Sequence, residues 1–137
     1  FFTVATNGTC TVNRGAIAQT ITLGGGGQLL LNECYSAVEP QAPYIPTINM
    51  GGTGNNLHII GYKGYLKIEN KTGVADFCTI HMDSGELELD STCTAGTILV
   101  RGNCNLIDNS GPGCTVNTDG LEQPSTKLTT GKFLALK

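Results

Sequence analysis

The sequence holds one group of side chains that could do acid–base chemistry. The carboxylates Glu86, Glu88 and Asp90 alternate with Leu87 and Leu89, so they share the outward face of one predicted strand. Cleavage of a glycosidic bond uses two such groups, one as the acid and one as the base or nucleophile. The same alternation is typical of any solvated strand face, and we therefore predict no catalytic residue.

Two histidines are the other side chains whose type suggests chemistry. His58 and His81 each stand between predicted inward neighbours and so point outward. A structural zinc site needs four ligands, and the sequence places no third candidate near these two. We predict no metal site and no cofactor.

The four tyrosines are the candidates for binding. Tyr62 and Tyr65 flank Gly64 and could stack against sugar rings, although tyrosines at strand edges also pack or contact other subunits. Residues 35–46 contain three prolines that prevent ladder pairing, so this excursion should loop out, where contacts are often made. The predicted partner or glycan contacts are Tyr35, Tyr44, Tyr62 and Tyr65.

A repeated pattern places these residues on strands. Four segments read Thr, then apolar-x-apolar, then a glycine-containing turn, and a second apolar-x-apolar unit follows each of them. Alternation with period two marks strands that are buried on one side. The predicted inward residues, stacked as one row, are Ile21, Leu23, Ile48, Met50, Ile80, Met82, Ile98 and Val100.

The spacing of the pattern predicts a solenoid. The initial threonines stand at positions 20, 47, 79 and 97, and the tetrapeptide Cys-Thr-Val-Asn recurs at positions 10 and 114, so the average period is about 26. With residues 66–68 as a third strand, the pattern predicts an all-β, right-handed, three-sided parallel β-helix of about four rungs. A competing register, 64–68 against 85–89 at a spacing of 21, stays open.

Length and composition exclude several classes of protein. The chain has 137 residues, a net charge of −3 and 19 glycines, and its basic residues are spread singly. A nucleic-acid surface needs clustered basic residues, and a membrane span needs roughly 20 apolar ones, so neither partner is expected.

The organisation along the chain predicts one domain and a tail. Residues 1–121 form the β-helix, and residues 122–137 are a polar linker followed by a C-terminal capping or docking tail. The open end of a solenoid has to be covered. We therefore predict that Phe133, Leu134 and Leu136 serve in assembly.

Six cysteines stand at 10, 34, 78, 93, 104 and 114, and no two of them form a CxxC pair. Cys10, Cys78, Cys104 and Cys114 fall at apolar positions of the alternation, where a free thiol acts as a small buried hydrophobe. We predict reduced, inward-facing cysteines, and therefore assembly in a cytosol.

Five segments carry a resemblance to a known family. They are Ile21–Gly27, Thr47–Gly52, Ile68–Gly73, Asp90–Gly102 and Leu106–Ser110. Together they resemble the β-helical end of structural proteins encoded by tailed bacteriophages. The resemblance covers roughly residues 17–121, and the segment from Asp90 to Ser110 is its most specific part.

The resemblance implies a non-enzymatic virion component, assembled in the cytoplasm of the host bacterium. A tail fibre, spike or baseplate part is expected, as a homo-trimer that contacts other virion proteins and a host surface glycan. Because the repeat begins with its third strand, the chain is also expected to be a piece of a longer gene product. Two alternatives stay open, a capsid-decorating protein and a β-helical polysaccharide depolymerase fragment.

Overall fold

The computed structural model describes residues 1–37, 39–122 and 125–128. These residues form strands joined by turns and contain no helix, so none of them belongs to a helix that could cross a membrane. The strands are β1 (Phe2–Val4), β2 (Thr9–Asn13), β3 (Ala16–Ile17), β4 (Thr20–Leu23), β5 (Gln28–Asn32), β6 (Tyr35–Ser36), β7 (Thr47–Asn49), β8 (Asn56–Glu69), β9 (Phe77–Leu89), β10 (Gly96–Gly102), β11 (Asn105–Asp108), β12 (Cys114–Leu121) and β13 (Ser125–Leu128).

The strands stack in parallel on three sides of a coil. Stack 1 comprises β1, β4, β7, the C-terminal parts of β8 and β9, then β11 and β13. Stack 2 comprises β2, β5, the N-terminal parts of β8 and β9, then β10 and β12. Stack 3 is short and comprises β3, β6 and the middle of β8 and β9. The predicted all-β parallel solenoid is confirmed, with about six turns instead of four.

The ladder pairings correct the predicted spacing of the turns. Along stack 1, Val4 pairs with Leu23 and Ile68 pairs with Leu89, which correspond to spacings of 19 and 21. Only the turn that contains the excursion is longer, since Thr22 pairs with Asn49 at a spacing of 27. The register at a spacing of 21 is therefore right, and the average of about 26 is wrong.

The predicted repeat mixed two stacks. Thr20 pairs with Thr47 in stack 1, whereas Thr79 pairs with His58 and Thr97 with Thr115 in stack 2. Both stacks carry the same alternation because both face one core, so the pattern alone does not separate them. Residues 66–68 likewise belong to stack 1 and do not form a third side.

The core is a single apolar column inside the coil. All eight residues predicted to point inward are buried, each at most 2% exposed. They line two stacks, however, because Ile21 and Ile48 are ladder partners in stack 1 while Ile80 and Val100 are partners in stack 2. Each such side chain contributes about 1.5–3 kcal/mol to stability by its burial.

All six cysteines are free thiols, and all but the half-buried Cys10 are buried. The structure also buries Cys34 and Cys93, whose sulfurs donate to the carbonyls of Val12 and Ile68 at 3.3 and 3.4 Å. Burial raises the pKa of Cys93 to about 12. These thiols therefore behave as core side chains and not as nucleophiles.

A buried lysine, Lys71, lies inside the coil at the turns between stacks 1 and 2. The Lys71 side chain is fully buried, and its Nζ donates to the carbonyl of Ala95 at 2.6 Å and to that of Gly73 at 3.5 Å. Gly96 leaves room for this ammonium group, since a Cβ there would lie 2.5 Å from Nζ. The lysine thus ties the turn of its own rung to the next one.

The C-terminal segment differs in part from the predicted linker. Ser125–Leu128 forms β13, which pairs in parallel with β11 and extends stack 1 beyond residue 121. The predicted assembly residues Phe133, Leu134 and Leu136 lie outside the described residues.

Candidate binding groove

A groove of about 590 Å³ runs along the coil where stack 3 meets stack 1. Its volume is within the range of small-molecule sites. One side is formed by the start of the excursion and the other by strand residues on three successive turns. The described residues that line it are Ser36, Ala37, Glu39, Pro40, Gly64, Tyr65, Gly85, Glu86 and Asn105.

Two glycines form the floor of the groove. Gly64 and Gly85 are ladder partners on adjacent turns, with φ of 102° and 98°. A Cβ on Gly64 would overlap Ser36 Oγ, and one on Gly85 would overlap the carbonyl of Gly64. Packing of the coil therefore requires glycine at both positions, and the floor of the groove is bare backbone.

The strand side of the groove is a row of three polar residues. Tyr65 pairs with Glu86, which pairs with Asn105, so their Cα atoms follow one another at the ladder spacing of about 4.8 Å. Asn105 Nδ2 donates to Glu86 Oε1 at 3.2 Å. This bond orients a carboxylate along the groove.

Tyr65 is held in place by its neighbours. Its hydroxyl donates to Glu88 Oε1 at 2.6 Å, and its backbone N–H donates to Ser36 Oγ at 3.2 Å. Burial, together with the carboxylate of Glu88, raises the pKa of Tyr65 well above its ordinary value. The phenol is therefore a neutral, fixed wall.

The electrostatics of the groove are acidic. Glu39 and Glu86 line it, and no Lys or Arg is among its described lining residues. The nearby Lys67 lies 3.8 Å from Glu69 and 3.7 Å from Asp90. Partial burial opposes ionisation of Asp90, yet hydrogen bonds from Thr92 and the charge of Lys67 hold its pKa below the ordinary value.

The structure places the four tyrosines differently. Tyr65 is half-buried and lines the groove, whereas Tyr35 and Tyr44 are exposed and are not among its lining residues. Tyr35 also corrects the predicted excursion, because it lies in β6 and pairs with Ala16 and Lys63. Tyr62 does not fit the prediction, because it is 0% exposed and its hydroxyl donates to the carbonyl of Tyr65 at 2.8 Å. Gly61, with φ of 70°, interrupts the alternation just before it and turns Tyr62 inward.

The other candidates stay apart. Glu86, Glu88 and Asp90 do share the outer face of stack 1, as the alternation predicted. Among the described residues, no three His, Cys, Asp or Glu side chains come together as the ligands of a metal would. His81 Nδ1 instead lies 3.7 Å from the carboxylate of Asp83.

Sequence reasoning missed Asn105 and the glycine floor. The register at a spacing of 21 contained the signal, because it sets Gly64 against Gly85 and Tyr65 against Glu86.

Comparison with protein families, curated proteins and solved structures gives no match.

Proposed function

We propose that the chain is a non-enzymatic structural protein of a bacteriophage virion, a tail fibre, spike or baseplate component acting in assembly or attachment. The sequence resemblance from Asp90 to Ser110 supports the phage origin. The observation that carries the structural role is the continuous core. At one inward ladder position of stack 2, successive turns place Leu31, Ile59, Ile80 and Val100 against one another, and each is fully buried. A coil filled in this way is a rigid rod.

The decisive experiment locates the chain in intact particles. Antibody-gold labelling and electron microscopy should show it at the tail, with a coil of about six turns, roughly 30 Å long, fitting the density. Labelling over the head surface would instead support a capsid-decorating protein. Absence from purified particles would overturn the virion role altogether.

As an attachment protein, the chain would use the groove to contact a host surface glycan. The phenol of Tyr65, the carboxylate of Glu86 and the amide of Asn105 offer donors and acceptors to sugar hydroxyls above a floor without side chains. Because the groove is acidic, neutral oligosaccharides fit and polyanionic ones are repelled.

This contact can be tested with a panel of neutral and acidic bacterial surface glycans. We expect Tyr65→Ala and Glu86→Gln each to weaken binding of a neutral glycan by about tenfold, or about 1.4 kcal/mol. Thr22→Ala, on the outer face of stack 1 and away from the groove, is the control. Binding that is unchanged by both groove variants would remove the groove from the proposal.

A depolymerase is the second candidate, because Glu86 and Glu88 are two outward carboxylates on one strand. At two residues' separation their Cα atoms are about 7 Å apart, and two carboxyl groups at a similar separation would suit an inverting glycosidase. Glu88, however, already accepts the hydroxyl of Tyr65. We expect no release of reducing ends from host polysaccharide; release that Glu88→Gln abolishes would favour the enzyme instead.

A further inference from the structure

The outer face of stack 2 is a flat grid of side chains. Its central row follows the ladder through six strands, one residue from each. That row is Thr11, Leu30, His58, Thr79, Leu99 and Asn117. Rows on either side contain Thr9, Gln28, Asn56 and Phe77, and Asn13, Asn32 and Ile60. We call this surface the stack 2 face.

Charge is distributed unevenly between the sides of the coil. On the outer face of stack 1, Lys67 stands among Glu69, Glu88 and Asp90. On the stack 2 face, the charged residues among the outward ones are Arg101 on β10 and Asp119 on β12, one of each sign. The stack 2 face is therefore nearly free of permanent charge, although the chain carries −3 overall.

The same face exposes large apolar side chains. Phe77 is 53% exposed and Ile60 is 39% exposed, and Leu30 and Leu99 are half-buried between them. Val74, which is 80% exposed, lies in the turn just before Phe77. Clustered apolar side chains on an otherwise uncharged surface mark a site of protein–protein contact.

We propose that the stack 2 face packs against the stack 2 face of a second copy of this chain. Parallel sheets are normally covered on both sides, and within the described part of the chain only the inner side of stack 2 is covered, by the core. Two uncharged faces approach without repulsion, whereas two acidic stack 1 faces would repel each other. A strongly charged partner would find no matching charge on this face. The inference does not depend on the virion role.

The dimensions set the strength of the contact. Six strands at about 4.8 Å and five residues at about 3.3 Å give a flat area of roughly 475 Å² per copy. Two copies together cover about 950 Å², below the roughly 1,200 Å² of stable complexes. We therefore expect a concentration-dependent dimer. Because the same face of each copy forms the contact, the interface has two-fold symmetry and yields a closed dimer. This contrasts with the trimer that the phage resemblance implies.

Sedimentation equilibrium from micromolar to millimolar protein tests the proposal. The wild-type chain should shift from monomer mass to dimer mass with increasing concentration. The double variant Ile60→Lys with Phe77→Lys should raise the dissociation constant by at least about tenfold. Each copy then carries two lysines on the contact face, and they repel the two lysines of the other copy. Leu99→Lys gives a second, independent substitution in the central row.

The matched control is Ile107→Lys. Ile107 is also an outward isoleucine, but it follows Lys67 and Glu88 along the outer face of stack 1. It should leave the dissociation constant unchanged, and circular dichroism should show the same β content in every variant. A wild-type chain that stays monomeric, one that forms trimers, or dimerisation weakened equally by Ile107→Lys would each overturn the proposal.

Discussion

Replacing the buried Lys71 by methionine should destabilise the solenoid, and the size of the effect follows from its contacts. Methionine keeps most of the apolar stem but ends one atom earlier and cannot donate. The short, charge-assisted bond to the Ala95 carbonyl is lost, at about 1.5–3 kcal/mol, and so is the long bond to Gly73, at about 0.5 kcal/mol. Removing the ammonium group also removes the free-energy cost of burying its charge, and this offsets part of the loss.

We therefore expect Lys71→Met to lower the free energy of unfolding by about 1–3 kcal/mol, because the carbonyl of Ala95 loses the Lys71 donor, whereas that of Gly73 keeps the N–H of Asp76. Urea unfolding followed by circular dichroism measures this as a midpoint shift of about 1 M. Lys67→Met is the control, since Lys67 makes only partly exposed ion pairs and should change the stability by less than about 1 kcal/mol.

A double-mutant cycle with Gly96→Ala tests the geometry itself. Alanine at φ of 75° costs about 1–2 kcal/mol in any background. In the wild-type chain its Cβ would also displace the Lys71 ammonium group, whereas the shorter methionine leaves room for it. The two substitutions should therefore be non-additive by about 1 kcal/mol. Additive effects, or a Lys71→Met variant as stable as wild type, would refute the role assigned to this lysine.

Three further predictions concern the core. Ile98→Asp should prevent folding because Ile98 is fully buried, whereas Leu99→Asp, on the outer face, should fold; circular dichroism and solubility decide this. A thiol count on protein denatured without reductant should find six free groups, and two or fewer would contradict the reduced state. Because burial raises the pKa of Cys93 to about 12 and that of Cys104 to about 11, unfolding should become easier between pH 9 and 11, where only the unfolded thiols lose their protons. In the double variant Cys93→Ala with Cys104→Ala, the urea midpoint of unfolding should fall less steeply with pH over this range. A fall as steep as in the wild-type chain would contradict the prediction.

The sequence predicted the class of fold and the core, because alternation with period two reports directly which side of a strand is buried. The register was ambiguous for the same reason. Thr20 and Thr79 begin segments that look alike, yet they belong to different stacks that face one core. Only pairings such as Gly64 with Gly85 distinguish the stacks, since both glycines need positive φ at the same corner.

The site was less predictable because it depends on interruptions of the pattern. Tyr62 turns inward only because Gly61 adds a residue to the corner of its strand. Lys71 stands in a polar Asn-Lys-Thr stretch that gives no sign of burial, and its place inside the coil depends on the carbonyl of Ala95, on the following turn. Asn105 reaches Glu86 across one turn of the coil. Such contacts follow from the ladder register, which the sequence left open.

The excursion shows how a solenoid gains a binding surface without disturbing its core. The turn between Thr22 and its ladder partner Asn49 is the longest along stack 1, yet the ladder continues on both sides of it, with Ile21 against Ile48 and Ile48 against Ile68. The extra residues leave at the stack 3 corner, where Ser36, Glu39 and Pro40 form one side of the groove. The opposite side, from Tyr65 to Asn105, is ordinary strand surface. Groove shape and rod stability are therefore set by different residues, and the excursion can vary while the buried column stays the same.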